Sequence, residues 1–144
     1  MAEVGEVRRM KTRSGVPVEL RVAAEFEQLP VVRAVAETLA VLGDFTLDDV
    51  ADIKLAVDEV CSELIAAAPG SAELTCSFAV TETGLHVTIH APLTRGGVPN
   101  RESFGWHVLE TLMNAVTVSE ASAASDGSAG RAVSVELVKY RGIV

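Results

Sequence analysis

The stretch LDDVADIKLAVDEVCSELIAAA, residues 47–68, decides the fold that this sequence predicts. Its apolar residues recur at intervals of three and four positions, which is the spacing of one face of an α-helix. Pro69 and Gly70 follow the run and end it. We therefore expect a long helix that packs one face into a hydrophobic core. The residues of that face are Val50, Ile53, Val57, Val60, Cys61, Leu64 and Ala68.

The same helix carries a separate acidic stripe. Successive helical residues are rotated by about 100°, so Asp52, Glu59 and Glu63 point away from the apolar face. Two charged carboxylates four positions apart, as in Glu59 and Glu63, repel each other by roughly 0.2–0.5 kcal/mol. The spacing leaves two interpretations open: a solvated acidic face, or one wall of a cleft.

The remaining elements follow from the same kinds of pattern. Alternation predicts strands, and helical periodicity predicts two more helices. This order of elements favours an α+β two-layer sandwich, in which a mixed, mostly antiparallel sheet carries its helices on one face. The predicted strands are 16–24, 73–81, 85–90, 116–119 and 131–139, and the additional helices are 29–42 and 104–116.

Length and composition favour one globular domain. The chain has 144 residues, 49% of them hydrophobic, and no apolar stretch approaches the roughly 18–20 residues of a membrane span. We expect a flexible basic tail at residues 1–15 and a single domain at residues 16–144. The tail lacks the apolar segment of a secretory signal, which favours the cytoplasm. Cys61 and Cys76 both have apolar neighbours, which predicts buried, reduced thiols rather than a disulfide or a zinc site.

The charge is strongly uneven along the chain. The formal net charge is -8, and residues 1–15 contain four basic and two acidic side chains, which leaves -10 for the rest. An acidic body is repelled by nucleic acid and suits a partner with a basic surface. We interpret the basic tail as a solubilising extension, with a nucleic-acid-binding arm as the alternative.

Two runs carry a resemblance to a known family. The run IKLAVDEVCSELI, residues 53–65, and the run SFGWHVLETLMNAV, residues 103–116, with the loop before it, resemble the anti-sigma-factor serine kinases of the RsbW type. That family belongs to the GHKL ATPase superfamily, which includes histidine kinases, gyrase B and Hsp90. The similarity covers nearly the whole chain and implies the GHKL, or Bergerat, ATPase-like fold.

The resemblance implies roles for the two glutamates of the long helix. In the family, a glutamate on this helix acts on the attacking group, and an asparagine four residues later binds the Mg²⁺ that bridges the triphosphate. Glu59 matches the glutamate, which implies a catalytic base if the protein is a kinase. Glu63 stands in place of the asparagine, at the position that binds cofactor and metal. A carboxylate can ligate Mg²⁺, but it adds negative charge beside the phosphates.

A second family motif, which binds adenine, is altered. In the family, an aspartate after the hairpin accepts a hydrogen bond from the adenine amino group. No acidic residue occurs here between Glu82 and Glu102, so this anchor is missing. Gly96 and Gly97 occupy the loop in which the family has its nucleotide lid, and they are our candidates for that part of the cofactor site, with an ordinary turn as the alternative.

A third motif, glycine-x-glycine at a helix start, lets backbone N–H groups approach phosphates. The sequence Ser103-Phe104-Gly105 retains only the second glycine, and Ser103 and Gly105 complete the candidate cofactor site. Phe104 and Trp106 are interpreted as hydrophobic packing, with a ligand contact as the alternative. The resemblance thus implies ATP and Mg²⁺ as cofactors, and the altered motifs predict that their binding is weak.

The function implied by the resemblance is that of an anti-sigma factor. Such a protein sequesters an alternative, stress-response sigma factor and releases it when an anti-anti-sigma partner competes. An arginine on the family's first helix contacts the sigma factor, and Arg33 occupies the matching position; a surface arginine whose stem covers apolar neighbours is the alternative. The resemblance also makes a homodimer plausible, and we expect neither direct nucleic-acid binding nor membrane association.

Two other hypotheses remain. The second is an active ATP-dependent serine kinase that phosphorylates the anti-anti-sigma protein, with catalysis by positioning and Mg²⁺. The third is an unrelated small α+β scaffold, because a fold does not by itself determine a function.

Overall fold

The computed structural model describes residues 17–94, 99–122 and 131–142. The predicted basic tail and the candidate lid residues Gly96 and Gly97 lie outside the described residues. None of the helices within these ranges is long and apolar enough to cross a membrane.

The helices and strands follow the predicted order. A single 3-10 turn, Phe26–Gln28, leads into the first helix. Thr46 is the N-cap residue of the long second helix, and its side chain accepts a hydrogen bond from the Asp49 amide. That cap, with acidic residues in the first turn, is typical of a helix N-terminus. The elements are β1 (Val18–Ala23), α1 (Leu29–Leu42), α2 (Leu47–Ala67), β2 (Glu73–Val80), β3 (Gly84–Leu93), α3 (Phe104–Leu112), β4 (Ala115–Ser122) and β5 (Arg131–Tyr140).

The strands form one sheet in the order β1-β2-β3-β5-β4. Every strand pairing in the described ranges is antiparallel. The α+β two-layer arrangement is confirmed, and the expected mixed sheet is corrected to a fully antiparallel one. The reason is topological, because β5 enters between β3 and β4 in the opposite direction to both.

The core lies between the helices and one face of the sheet. In β2 and β3, every second residue is buried while its neighbours are partly exposed, as expected of a sheet covered on a single face. The apolar face of α2 packs onto this surface as predicted. Its buried residues are Val50, Ile53, Ala56, Val57, Val60, Cys61, Leu64 and Ile65.

Helix α3 ends four residues before the predicted position. The helical pattern continues to residue 116, but α3 stops at Leu112 and Met113 is extended. Asn114 then joins β5: its amide donates to the Val138 carbonyl at 2.8 Å, and its side-chain oxygen accepts from the Tyr140 amide at 2.7 Å. Strand pairing therefore overrides local helical periodicity at this point.

Arg141 ties the end of β5 to two loops. Its Nε donates to the Gly43 carbonyl at 2.6 Å, and its two terminal nitrogens donate to the carbonyls of Glu82 at 2.5 Å and Thr81 at 2.8 Å. The guanidinium also lies over the ring of Phe45, 5.2 Å from its centroid. One side chain thus fixes the α1–α2 connection against the β2–β3 turn.

We expect the substitution Arg141→Ala to lower the free energy of unfolding by about 2 kcal/mol, because it removes charge-assisted hydrogen bonds to three carbonyls. Urea denaturation followed by circular dichroism measures this loss. Arg101→Ala, at an exposed loop position, is the matched control. A loss no greater than that of the control would contradict the structural role of Arg141.

Candidate functional site

The candidate site lies where the first turn of α3 meets α2. Ser103 is the N-cap residue of α3, and its hydroxyl oxygen accepts a hydrogen bond from the Trp106 amide at 3.1 Å. Trp106 is 3% exposed and anchors the helix in the core, which confirms the packing interpretation for this residue. Phe104, by contrast, is 85% exposed, so the packing interpretation is wrong for Phe104.

Gly105 lies against α2. A Cβ atom at this position would lie 2.2 Å from Glu59 Oε2 and 3.4 Å from Glu63 Oε2. The first distance is far below any permitted contact, so a side chain here would displace Glu59. The structure therefore places Gly105, a candidate cofactor-site residue, beside the candidate catalytic base Glu59 and the candidate cofactor ligand Glu63, and Ser103 lies two residues before Gly105 at the start of α3.

The two glutamates form an interacting pair rather than two independent carboxylates. Glu63 Oε2 is buried and has no hydrogen-bond partner among the described residues. Burial, together with the neighbouring Glu59 carboxylate, raises the pKa of Glu63 from its ordinary 4.5 to about 7. The pair therefore holds a proton near neutral pH.

Asp52, the third residue of the acidic stripe, pairs with Lys139. Its Nζ lies 3.5 Å from Asp52 and 3.7 Å from Asp49, and it donates to the Leu112 carbonyl at 2.5 Å. The lysine side chain is only 13% exposed. The acidic stripe is thus divided between an ion pair at Asp52 and a pair of carboxylates, Glu59 and Glu63, that lies against Gly105.

Two contacts bear on the fit of a Mg²⁺-bound triphosphate at this site. No group of three or more potential metal ligands occurs in the described parts of the chain. The Ser103 hydroxyl is engaged as a helix cap, and α3 approaches Glu59 so closely at Gly105 that protein atoms fill the space between them. At the position of the family's asparagine, an ionised Glu63 would add negative charge next to the phosphates.

Arg33 lies on a different face of the molecule. Its guanidinium donates to Asp58 Oδ1 at 2.8 Å and remains 41% exposed. Because neighbouring helical residues point about 100° apart, Asp58 faces α1 whereas Glu59 faces α3. Sequence analysis singled out Arg33 but missed Asp58 as its partner. The pairing joins two helices, and nothing in the local sequence pattern indicates it.

The two cysteines are buried and adjacent. Both are free thiols, as predicted. A hydrogen bond with Cys76 and burial raise the pKa of Cys61 well above its ordinary value. A protonated thiol is a weak nucleophile, so this pair serves packing between α2 and β2.

The paired glutamates predict a pH-dependent effect of Glu63→Gln. The unfolded chain ionises near the ordinary pKa of 4.5, whereas the folded protein keeps its proton up to about pH 7. Wild-type stability therefore falls as pH rises through this window, and glutamine avoids the loss. We compare the free energy of unfolding of Glu63→Gln with that of the wild type. After allowance for solvent screening, we expect this difference to shift in favour of Glu63→Gln by about 1 kcal/mol from pH 5 to pH 8.

Urea denaturation at both pH values tests this expectation, with Glu110→Gln, an exposed carboxylate on α3, as the control. An equal stability difference at pH 5 and pH 8 would show that Glu63 ionises normally.

Sequence comparison with known proteins gives two results, and structural comparison gives a third. No protein-family model matches the chain. It is 37% identical over 99 residues to the anti-sigma-F factor RsbW of Mycobacterium tuberculosis, from strains CDC 1551 / Oshkosh and ATCC 25618 / H37Rv. The match covers 69% of this chain and 59% of each relative, so the chain spans less than two thirds of the relatives' length.

The fold is similar to that of a chain in the crystal structure of the SiaB–SiaC complex from Pseudomonas aeruginosa. The TM-score is 0.69 at 9% identity, over 95% of this chain and 96% of that chain. At this identity the likeness shows the fold alone, and it agrees with the expected GHKL-like arrangement. The family follows from the sequence relationship: over the matched region, the chain belongs to the RsbW-type anti-sigma factors.

Proposed function

We propose that this protein is an anti-sigma factor that sequesters an alternative, stress-response sigma factor and is released by an anti-anti-sigma partner. The observation that carries the proposal is the 37% identity over 99 residues to proteins named anti-sigma-F factor RsbW. The net charge of -10 on the chain after residue 15 also supports the proposal. A sigma factor must present basic surfaces to DNA, and an acidic binding protein complements them.

The position of Arg33 supports a sigma-binding role. Its ion pair with Asp58 holds the guanidinium at the surface of the helical layer, while 41% of the side chain stays exposed. A guanidinium has five N–H donors, and the hydrogen bond to Asp58 uses the Nη1 group. The other donors remain available to an acidic or carbonyl group of a partner.

An active serine kinase is the second candidate function. It would use Glu59 as the base, since Glu59 lies beside the first turn of α3 as a catalytic residue at this site would. The neighbouring Glu63, which holds a proton near neutral pH, and the missing adenine carboxylate favour a binding protein with weak or vestigial nucleotide affinity.

A homodimer and a cytoplasmic location also belong to the proposal. Strand β1 is an edge of the sheet, and beside it lies an apolar depression lined by Val18, Ala34 and Val35. An exposed edge next to apolar side chains is a common dimer contact. The acidic charge argues against direct binding of nucleic acid.

Arg33→Glu should weaken binding to the cognate sigma factor by at least about tenfold, because it reverses a charge in the proposed interface. The same change also places two carboxylates side by side at Asp58. We therefore add the exchange Arg33→Asp with Asp58→Arg, which restores an internal ion pair but reverses its direction.

Isothermal titration calorimetry with the purified sigma factor measures both variants, with circular dichroism to check folding and Arg21→Glu on β1 as a control. We expect both Arg33 variants to bind weakly and the control to bind normally. Recovery of full affinity in the exchanged pair would mean that Arg33 supports the fold and does not contact the partner.

The affinity for ATP should be in the high micromolar range or weaker, because the adenine carboxylate and the first phosphate-loop glycine are absent. Titration with Mg-ATP and phosphate transfer from labelled ATP to the anti-anti-sigma protein test this. Submicromolar binding would refute it. Transfer by the wild type that is lost in Glu63→Ala, with sigma binding intact, would establish the kinase instead.

A further inference from the structure

The outer edge of β1 has no partner strand within the described parts of the chain. β1 lies at one end of the strand order and pairs with β2 alone among the described strands. Val18, Leu20 and Val22 stand opposite buried residues of β2, so they point toward the helices. Because successive residues of a strand point to opposite faces, Glu19 and Arg21 lie on the uncovered face of the sheet. Their side chains are exposed and 3.9 Å apart.

One hydrogen bond fixes the direction in which the backbone of β1 points. The Ala24 amide donates to the Ala72 carbonyl at 2.9 Å, which continues the β1–β2 register one pair beyond Ala23. In an antiparallel ladder, residues that bond to one neighbour alternate with residues whose N–H and C=O groups point the other way. The even-numbered residues of β1 therefore bond to β2. The odd-numbered residues, which include Glu19 and Arg21, direct their backbone groups at the open edge.

Helix α1 presents an apolar flank beside this edge. Val31 and Leu42 are 44% and 67% exposed, and with Val35 and Thr38 between them they follow the helical spacing of one side of α1. A depression of about 300 Å³ separates this flank from the start of β1. Its lining residues are Val18, Ala34, Val35, Thr38 and Leu39.

The two charged residues of α1 are turned away from the flank. Arg33 pairs with Asp58 and Glu37 pairs with Lys54, and both partners lie on α2. The side chains of α1 therefore set up no charge repulsion across the flank, although the whole chain carries a net charge of -8. An uncharged apolar flank next to an open strand edge suits a second copy of the same surface, since a two-fold contact brings identical patches together.

The charges on β1 select one register for two antiparallel copies. Hydrogen bonds between the two edges must join odd-numbered residues of both copies, because only these direct their backbone groups outward. Pairing Glu19 with Glu19 of the second copy, or Arg21 with Arg21, places like charges directly opposite each other, which is destabilising. The register between these two, centred on Leu20, pairs Glu19 of each copy with Arg21 of the other.

We propose that two copies of this protein pair antiparallel through β1, with the two-fold axis at Leu20. On the helix side, Leu20 faces its own counterpart, and Val18 faces Val22 of the second copy. On the uncovered face, Glu19 and Arg21 form two cross-strand ion pairs. The two five-stranded sheets join into one, with both α1 helices on the same side of it. The inference rests on the homodimer of the proposed function and specifies the residues that form it.

Reversing either charge should weaken dimerisation by about tenfold or more, because two attractive pairs become two repulsive ones. Arg21→Glu places Glu19 opposite a glutamate, and Glu19→Arg places Arg21 opposite an arginine. The double exchange, Glu19→Arg with Arg21→Glu, restores opposite charges across the axis, and we expect it to dimerise like the wild type. Sedimentation equilibrium over a range of concentrations measures the dissociation constant of each variant.

Mixing the two single variants gives an independent measurement. One variant carries two arginines on the edge and the other two glutamates, so a mixed dimer has opposite charges at both pairs. We expect the mixture to dimerise more tightly than either variant alone. Glu110→Arg, at an exposed position of α3, is the matched control, because it changes the net charge as much as Glu19→Arg does. It should dimerise like the wild type, and circular dichroism should show that every variant is folded.

Three results would overturn this contact. A wild type that stays monomeric would assign the open edge to a different occupant. A dimer that both single variants retain would place the contact on another surface. A double exchange that is folded but monomeric would rule out the register centred on Leu20.

Sigma-factor binding separates this proposal from the proposed function. Arg33 faces α2, on the other side of α1 from the flank, so we expect Arg21→Glu to bind the sigma factor normally while it dimerises poorly. A wild type that dimerises as described but binds no sigma factor would refute the anti-sigma function and support the β1 contact. A monomeric wild type that binds the sigma factor would refute the contact alone.

Discussion

Burial of one face of α2 is the constraint on which the rest of this structure depends. Ile53, Val57 and Leu64 are fully buried against the sheet, which fixes the rotation of the helix about its axis. Once that rotation is set, each remaining side of α2 has a determined direction. Asp58 meets α1, Glu59 meets α3, and Asp52 meets Lys139 from β5. The functional surfaces are consequences of the core.

Patterns within single elements were predictable, whereas contacts between elements were not. The bounds of α1 agree with its periodicity, and those of α2 differ by one residue, because both helices bury a regular apolar face. The end of α3 was missed, since Asn114 is recruited by β5 and strand pairing depends on residues far along the chain. For the same reason, neither the Arg33–Asp58 pair nor the contact between Cys61 and Cys76 could be inferred from spacing.

Residue types singled out Glu59, Glu63 and Gly105, which the structure places next to one another, but the chemistry of this cluster depends on distances. When two glutamates four residues apart are both exposed, their charged carboxylates form an acidic stripe and repel each other. Packing under Gly105 changes this, because partial burial makes the protonated form of Glu63 the favoured one. A family motif can therefore keep its place in the fold while a single added carboxylate changes its protonation.

The position of β5 has a consequence for how the chain reaches this fold. β5 is the last strand along the described chain, yet it lies inside the sheet, between β3 and β4. β4 is made first but has no partner except β5 among the described strands. β3 also pairs with β5 although α3 and β4 lie between them along the chain, so the edge of β3 stays unpaired during synthesis until β5 has been made. Long-range pairings of this kind form slowly, and an unpaired strand edge is meanwhile exposed to aggregation.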